Sequence, residues 1–134
     1  MVTGQHAVWV IGLVLGMAYI GGCNRNRSEP AVKKPSTQGQ LASRFAAAKE
    51  ITTVSEKDEA MSVIALDAGA LGDHQMVLDA LQNIARTELR DETASKSALR
   101  LAAAGEGNGA NAVAVTIRGI VLRNGTLKKL AQGK

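Results

Sequence analysis

Few side chains in this sequence could do chemistry. Among 134 residues there are one Cys and two His. His74 stands beside Asp73 and five residues before Asp79. General-base work would need a nucleophile and an orienting group within about 3 Å of the imidazole, and no surrounding pattern marks either. His74 therefore reads as an exposed residue in the first turn of a helix. Gly105-Glu106-Gly107-Asn108-Gly109 has the glycine content of a phosphate cradle, but it follows a predicted helix, carries an acid and lacks the Lys of a P-loop. It reads as a helix-to-helix turn. Glu56, Asp58 and Glu59 are oxygen ligands of the kind calcium takes, yet three acids crowded into a first helical turn more simply complement the helix dipole.

Composition narrows the classes further. A structural zinc site needs about four Cys or His ligands, a disulfide framework needs an even number of Cys, and a ligand pocket is usually lined with aromatics. The chain has one Trp, one Tyr and one Phe. No catalytic residue, metal site or bound cofactor is expected, and the protein reads as a non-enzyme. Formal net charge is +4, but Phe45 is the only aromatic after Tyr19, so the stacking residues of nucleic-acid recognition are absent and no nucleic-acid partner is expected.

Cys23 is the exception. It follows an uncharged run, Ala7 to Ile20, AVWVIGLVLGMAYI. Fourteen residues at about 1.5 Å each give roughly 21 Å of helix, short of a hydrocarbon core about 30 Å thick. The run suits the apolar region of a signal peptide. Ile20-Gly21-Gly22-Cys23 resembles the lipobox of bacterial lipoproteins, an aliphatic residue and two small residues before Cys. The resemblance implies a diacylglyceryl group on the Cys23 sulfur, cleavage between Gly22 and Cys23, and often acylation of the new amino group. The two chains of a diacylglyceryl group suffice for stable anchoring, each buried methylene contributing about 0.8 kcal/mol. The expected divisions are residues 1–22 as signal peptide, 23–39 as lipidated Cys and linker, and 40–134 as a folded module. Membrane lipid is thus an expected partner, and the expected location is the cell envelope. Asn24, in place of the acid associated with inner-membrane retention in some lipoprotein systems, favours the periplasmic face of the outer membrane.

Charge flanking the run supports a second topology. Met1 to His6 has no Lys or Arg, whereas Arg25, Arg27, Lys33 and Lys34 follow it, and cytoplasmic flanks are the ones that gather basic residues. The alternative is an uncleaved single-pass anchor at the inner membrane with a cytoplasmic adaptor module. Asn24 to Gly39 reads as a tether in either case, polar, Pro-interrupted and four basic residues against Glu29. Its sixteen residues span about 20 to 24 Å as a flexible chain.

The rest of the chain repeats. At an offset of 33, Asp58 falls on Asp91, Glu59 on Glu92, Ser62 on Ser95, Ala65 on Ala98, Leu66 on Leu99, Gly72 on Gly105 and Ile84 on Ile117. Met61, Ile64, Ala65 and Ala68 form one helical stripe; Val77, Ala80, Leu81 and Ile84 form a second. The second returns as Ala110, Val113, Ala114 and Ile117, and earlier as Ala47, Ala48 and Ile51. The first returns as Ala94, Ala98 and Leu101, then as Leu127, Leu130 and Ala131. Asp58 and Asp91 suit caps of free N–H groups, and Gly72 and Gly105 suit left-handed helix stops. Six helices are expected, near 40–51, 57–70, 73–86, 91–104, 108–121 and 124–132. Ala112 to Leu122 is rich in β-branched residues, but the stripe keeps it helical, with Gly119 ending or bending it.

The unit resembles the tetratricopeptide-like superfamily in its small residue in mid-helix (Ala65, Ala98, Ala131), its Gly-acid pair (Gly72-Asp73, Gly105-Glu106) and its second-helix positions (Val77 and Leu81, Ala110 and Ala114). The family's Trp, Tyr and closing Pro are missing, and Arg44 stands where Val77 and Ala110 do, which leaves HEAT-like or ankyrin-like helix pairs open. The resemblance implies an all-α fold of stacked antiparallel helix pairs whose concave side holds a peptide or protein partner. With fewer than three full units and an Ala-rich core, a partner or self-association is expected to complete the stack. Charge is polarised: Glu56 to Glu92 has nine acids and three bases, Thr93 to Lys134 seven bases and one acid.

Overall fold

Four of the six described helices start after an extended residue, Thr37, Thr53, Arg86 or Gly119, and three are each followed by a left-handed glycine, Gly72, Gly105 or Gly133. The computed structural model describes residues 37–133; Gly22, Cys23, the apolar run and most of the tether lie outside them. The described elements are six α-helices, α1 Gln38–Lys49, α2 Val54–Ala70, α3 His74–Gln82, α4 Thr87–Ala103, α5 Gly107–Ala114 and α6 Ile120–Ala131. Among the described residues there is no strand, so the fold is all-α. All six belong to one compact unit.

The helix starts at Val54, Thr87 and Ile120 are each 33 residues apart, as are those at His74 and Gly107. The helix ends repeat too. Gly72 and Gly105 take φ of 76° and 89°, a conformation that L side chains rarely adopt. This turns the chain so that Asp73 N–H reaches Ala68 O at 2.9 Å and Glu106 N–H reaches Leu101 O at 2.8 Å. Each bond satisfies a carbonyl that the helix end would otherwise leave open. Asp73 then caps α3, its Oδ1 accepting from Met76 N–H at 3.0 Å.

Both apolar stripes face the core. Met61, Ile64, Ala65 and Ala68 are buried, as are Val77, Ala80, Leu81 and Ile84, and Ala110, Val113, Ala114 and Ile117. Helix α2 packs on α1, α3 and α4, and α4 packs on α2, α5 and α6. Small residues let the helices approach closely. A Cβ at Gly69 would lie 3.0 Å from Ser97 O, and one at Gly109 would lie 2.6 Å from His74 Cβ.

The stripes thin at α1 and at α6. Ala48 is buried, but Ala47 is exposed and Ile51 half-buried, because α1 packs chiefly on α2, whereas α3 has α2, α4 and α5 around it. Leu127 and Leu130 are only half-buried and Ala131 is exposed, where their counterparts Met61, Ile64 and Ala65 are fully enclosed.

Helix boundaries depart from the sequence expectation in one consistent way. Helix α3 stops at Gln82 instead of running to 86, α5 stops at Ala114 instead of 121, and α2, α4 and α6 begin three or four residues earlier than expected. Gly119 does not end or bend α5; it is the N-cap of α6. The physical cause is a pair of carboxylates that claim the amides of both connections.

Candidate protein-interaction surface

Asp58 lies in the second turn of α2, inside the helix, and is 1% exposed. Its oxygens reach forward to the connection between α3 and α4. Oδ1 accepts from Ala85 N–H at 2.8 Å, and Oδ2 accepts from Arg86 N–H at 3.0 Å and Arg86 Nε at 3.1 Å. Asp91 does the same from α4, Oδ2 accepting from Arg118 N–H at 3.1 Å and Gly119 N–H at 2.8 Å. Arg86 and Gly119 are the N-cap residues of α4 and α6. Each Asp therefore caps the helix that opens the following 33-residue interval, not its own. Burial alone pushes the Asp58 carboxyl up, but the amides of Ala85 and Arg86 and the Arg86 guanidinium outweigh it and hold the group below the ordinary aspartate value. Asp91 is likewise pushed up by burial and brought below that value by the Gly119 and Arg118 amides and by Arg90.

A second contact recurs at the same interval. Ser62 Oγ and Thr93 Oγ1 are 2.8 Å apart across α2 and α4, and Ser95 Oγ and Thr126 Oγ1 are 2.7 Å apart across α4 and α6. Thr126 Oγ1 donates to Leu122 O at 2.8 Å, so the Ser95 hydroxyl is the donor in the second pair.

Two clefts open beside the carboxylate-capped connections. One, of about 200 Å³, is lined by Leu78, Leu81, Gln82, Arg90, Thr116 and Arg118. The other, of about 380 Å³, is lined in part by Ile51, Val54, Lys57, Gln82, Asn83 and Ala85. Lys57, Asn83 and Ala85 stand 33 residues before Arg90, Thr116 and Arg118, so the clefts are the same place in successive intervals, and they share Gln82. The smaller cleft sets the Gln82 amide and the cations of Arg90 and Arg118 beside Leu78 and Leu81; the larger is mixed, Ile51 and Val54 facing Lys57, Asp58 and the amides of Gln82 and Asn83. Lys57 Nζ donates to Lys49 O at 3.1 Å, the last carbonyl of α1, where the helix dipole favours a cation.

The remaining sequence-selected residues form no catalytic grouping with one another among the described contacts. His74 is exposed and opens α3; Asp79 Oδ1 accepts from Gln75 Nε2 at 3.2 Å. Gly105 is the left-handed stop, Glu106 the N-cap of α5, and Gly109 the site of closest approach to His74. Of the three clustered acids, Glu59 is exposed and lies 3.9 Å from Arg86 Nη2, while Asp58 is committed to amides. Among the described residues no group of three or more His, Cys, Asp and Glu gathers to hold a metal ion, and no helix is long and apolar enough to cross a membrane. Arg44, in Val77's position, is 40% exposed and pairs with Asp67 Oδ2 at 2.7 Å. Exposure at that level leaves the pair a small contribution to stability.

Sequence reasoning did not find the hydroxyl pairs or the forward reach of the two Asp. The signal was present: Ser62 and Ser95, like Thr93 and Thr126, are identical at an offset of 33. Comparison with protein-family models, curated proteins and solved structures finds no match to this chain.

Proposed function

We propose that this protein is a lipid-anchored, non-catalytic adaptor of the bacterial cell envelope, whose helical module holds a protein or peptide partner at a membrane surface. The observation that carries the reading is Ile20-Gly21-Gly22-Cys23 directly after an uncharged run of fourteen residues, with no second Cys in the chain. Cys23 is the lipidated residue and Gly22–Cys23 the cleavage point. No cofactor beyond the covalent lipid takes part.

Support for a tetratricopeptide-like stack comes from the recurrence of helix starts, glycine stops, carboxylate caps and hydroxyl pairs at one interval. Arrays of this kind couple each unit only to its neighbours and offer extended surfaces to partners. The paired clefts suit such a partner, with Leu78, Leu81, Ile51 and Val54 for its side chains and the amides of Gln82 and Asn83 for its backbone. The outer membrane's periplasmic face is the favoured location.

Fatty-acid labelling of the wild type and Cys23→Ala tests the anchor. Label on the wild type alone, with a mobility shift between the two, is the expected result; equal mobility and no label removes it. The second reading, an uncleaved inner-membrane span with a cytoplasmic adaptor module, is favoured by Arg25, Arg27, Lys33 and Lys34 lying after the apolar run. It predicts an N-terminus that still begins at Met1.

A further inference from the structure

Four apolar side chains cluster along the chain where α5 gives way to α6. Val115 is 59% exposed, Ile120 65%, Val121 88% and Leu122 39%. Val115 is the C-cap of α5, and Ile120 to Leu122 form the first turn of α6. Cations flank them. Arg118 precedes the turn and is exposed; Arg123 follows it and is partly exposed; Lys128 and Lys129 lie further along α6. The only acid from Thr93 onward is Glu106. Asp91 lies under Gly119, but its Oδ2 is held by the Arg118 and Gly119 amides.

We propose that this corner is a membrane-docking surface, at which Ile120, Val121 and Leu122 enter the interfacial region of an anionic bilayer while Arg118 and Arg123 meet its headgroups. Binding of this kind grows with buried apolar area and with attraction to anionic lipid. Val121 at 88% exposure protrudes, which suits a yielding lipid phase better than a protein partner that must supply a matching pocket. A second copy meeting this corner with its own corner would bring the same cations against one another, whereas an anionic surface neutralises them. Arg118 also lines the smaller cleft with Arg90, and their guanidinium groups are donors of the kind that suits one lipid phosphate. The docking rests on the membrane-anchored reading for its location, because an anchor raises the local concentration of bilayer enough for a small patch to engage.

The test uses the full chain carrying Trp9→Phe and Val121→Trp, so that its only tryptophan reports from the tip. It is reconstituted in vesicles of phosphatidylcholine alone or of phosphatidylcholine with phosphatidylglycerol. With phosphatidylglycerol, emission should move to shorter wavelength and be quenched by brominated acyl chains. Adding Arg118→Gln and Arg123→Gln should lower the ratio of docked to undocked protein roughly thirtyfold, at the usual contribution of a basic residue near an anionic surface. Water-like emission on both vesicles overturns the proposal. So does an equal shift on both, or a shift that rises with protein-to-lipid ratio at fixed lipid composition, which would mean that a second copy covers the patch. Flotation and acyl labelling of the same samples keep the anchor separate. Labelled, floating protein with water-like emission removes the docking and leaves the anchor; shifted emission with an unacylated Cys23 removes the anchor and leaves the docking.

Discussion

Replacing Asp58 by Ala should cost this fold about 3 kcal/mol. The carboxylate accepts from two backbone amides and one guanidinium N–H, all within 3.1 Å. A hydrogen bond to a charged group contributes about 1.5 to 3 kcal/mol. Ala85 and Arg86 are exposed, so water takes over part of each amide and the low end applies to both. The Arg86 side chain is 47% exposed and adds little through its charge. Asp58→Asn keeps one acceptor but turns an NH2 towards an amide donor, and should lose about 2 kcal/mol. Out of a total of about 5 to 15 kcal/mol for a domain of this size, either loss is large. Helical circular dichroism of the full chain against urea measures both. The acid limb adds a second reading. Because Asp58 and Asp91 are held below the ordinary aspartate value when folded, their contribution is complete above that value and is lost as pH falls through the folded one. Wild type should therefore lose stability on acidification more steeply than Asp58→Ala. A loss under about 1 kcal/mol at neutral pH, or parallel acid limbs, would refute the capping argument.

Glycine positions separate by sign. Gly72→Ala and Gly105→Ala should each lose about 1 to 2 kcal/mol by forcing a side chain into the left-handed region, whereas Gly125→Ala, inside α6 with open space around it, should gain up to about 1 kcal/mol; urea midpoints report all three. Gly109→Ala should lose about 1 to 3 kcal/mol through collision with His74 Cβ, and His74→Gly but not His74→Ala should restore it. Ser97→Ala should gain about 1 kcal/mol in thermal or urea unfolding, since Ser97 Oγ is buried without a hydrogen-bond partner among the described residues.

Much of this fold was legible because two periods coincide. Residues repeating every three or four positions marked the buried faces, and the 33-residue interval showed that Met61 and Ala94, or Val77 and Ala110, do equivalent work. Gly72 and Gly105 marked their own turns, since few other residues tolerate that backbone. What was not legible is what a side chain does outside its own helix. Asp58 and Asp91 looked like caps of the helices they open; they lie inside those helices, and the amides they hold belong to the connections 27 and 28 residues ahead. That reach ends α3 and α5 early, in segments whose apolar stripes through Ile84 and Ile117 run on beyond the helical backbone. The clefts were hidden for the same reason, since they exist only where those connections leave the helix. Cys23 stands apart: its local pattern was legible, and it lies outside the described residues.

The forward-reaching carboxylates, recurring at one interval, make the helical module tolerant of editing in whole steps. Excising residues 58 to 90 would leave Asp91 in the place of Asp58, still facing the amides of Arg118 and Gly119, with Ser95 still opposite Thr126. A cut of another size between Asp58 and Gly119 would put a carboxylate out of register with its amides. Length in this protein thus changes most readily by one period, with one side-chain conflict at the splice: Arg100 would take the place of Asp67 opposite Arg44.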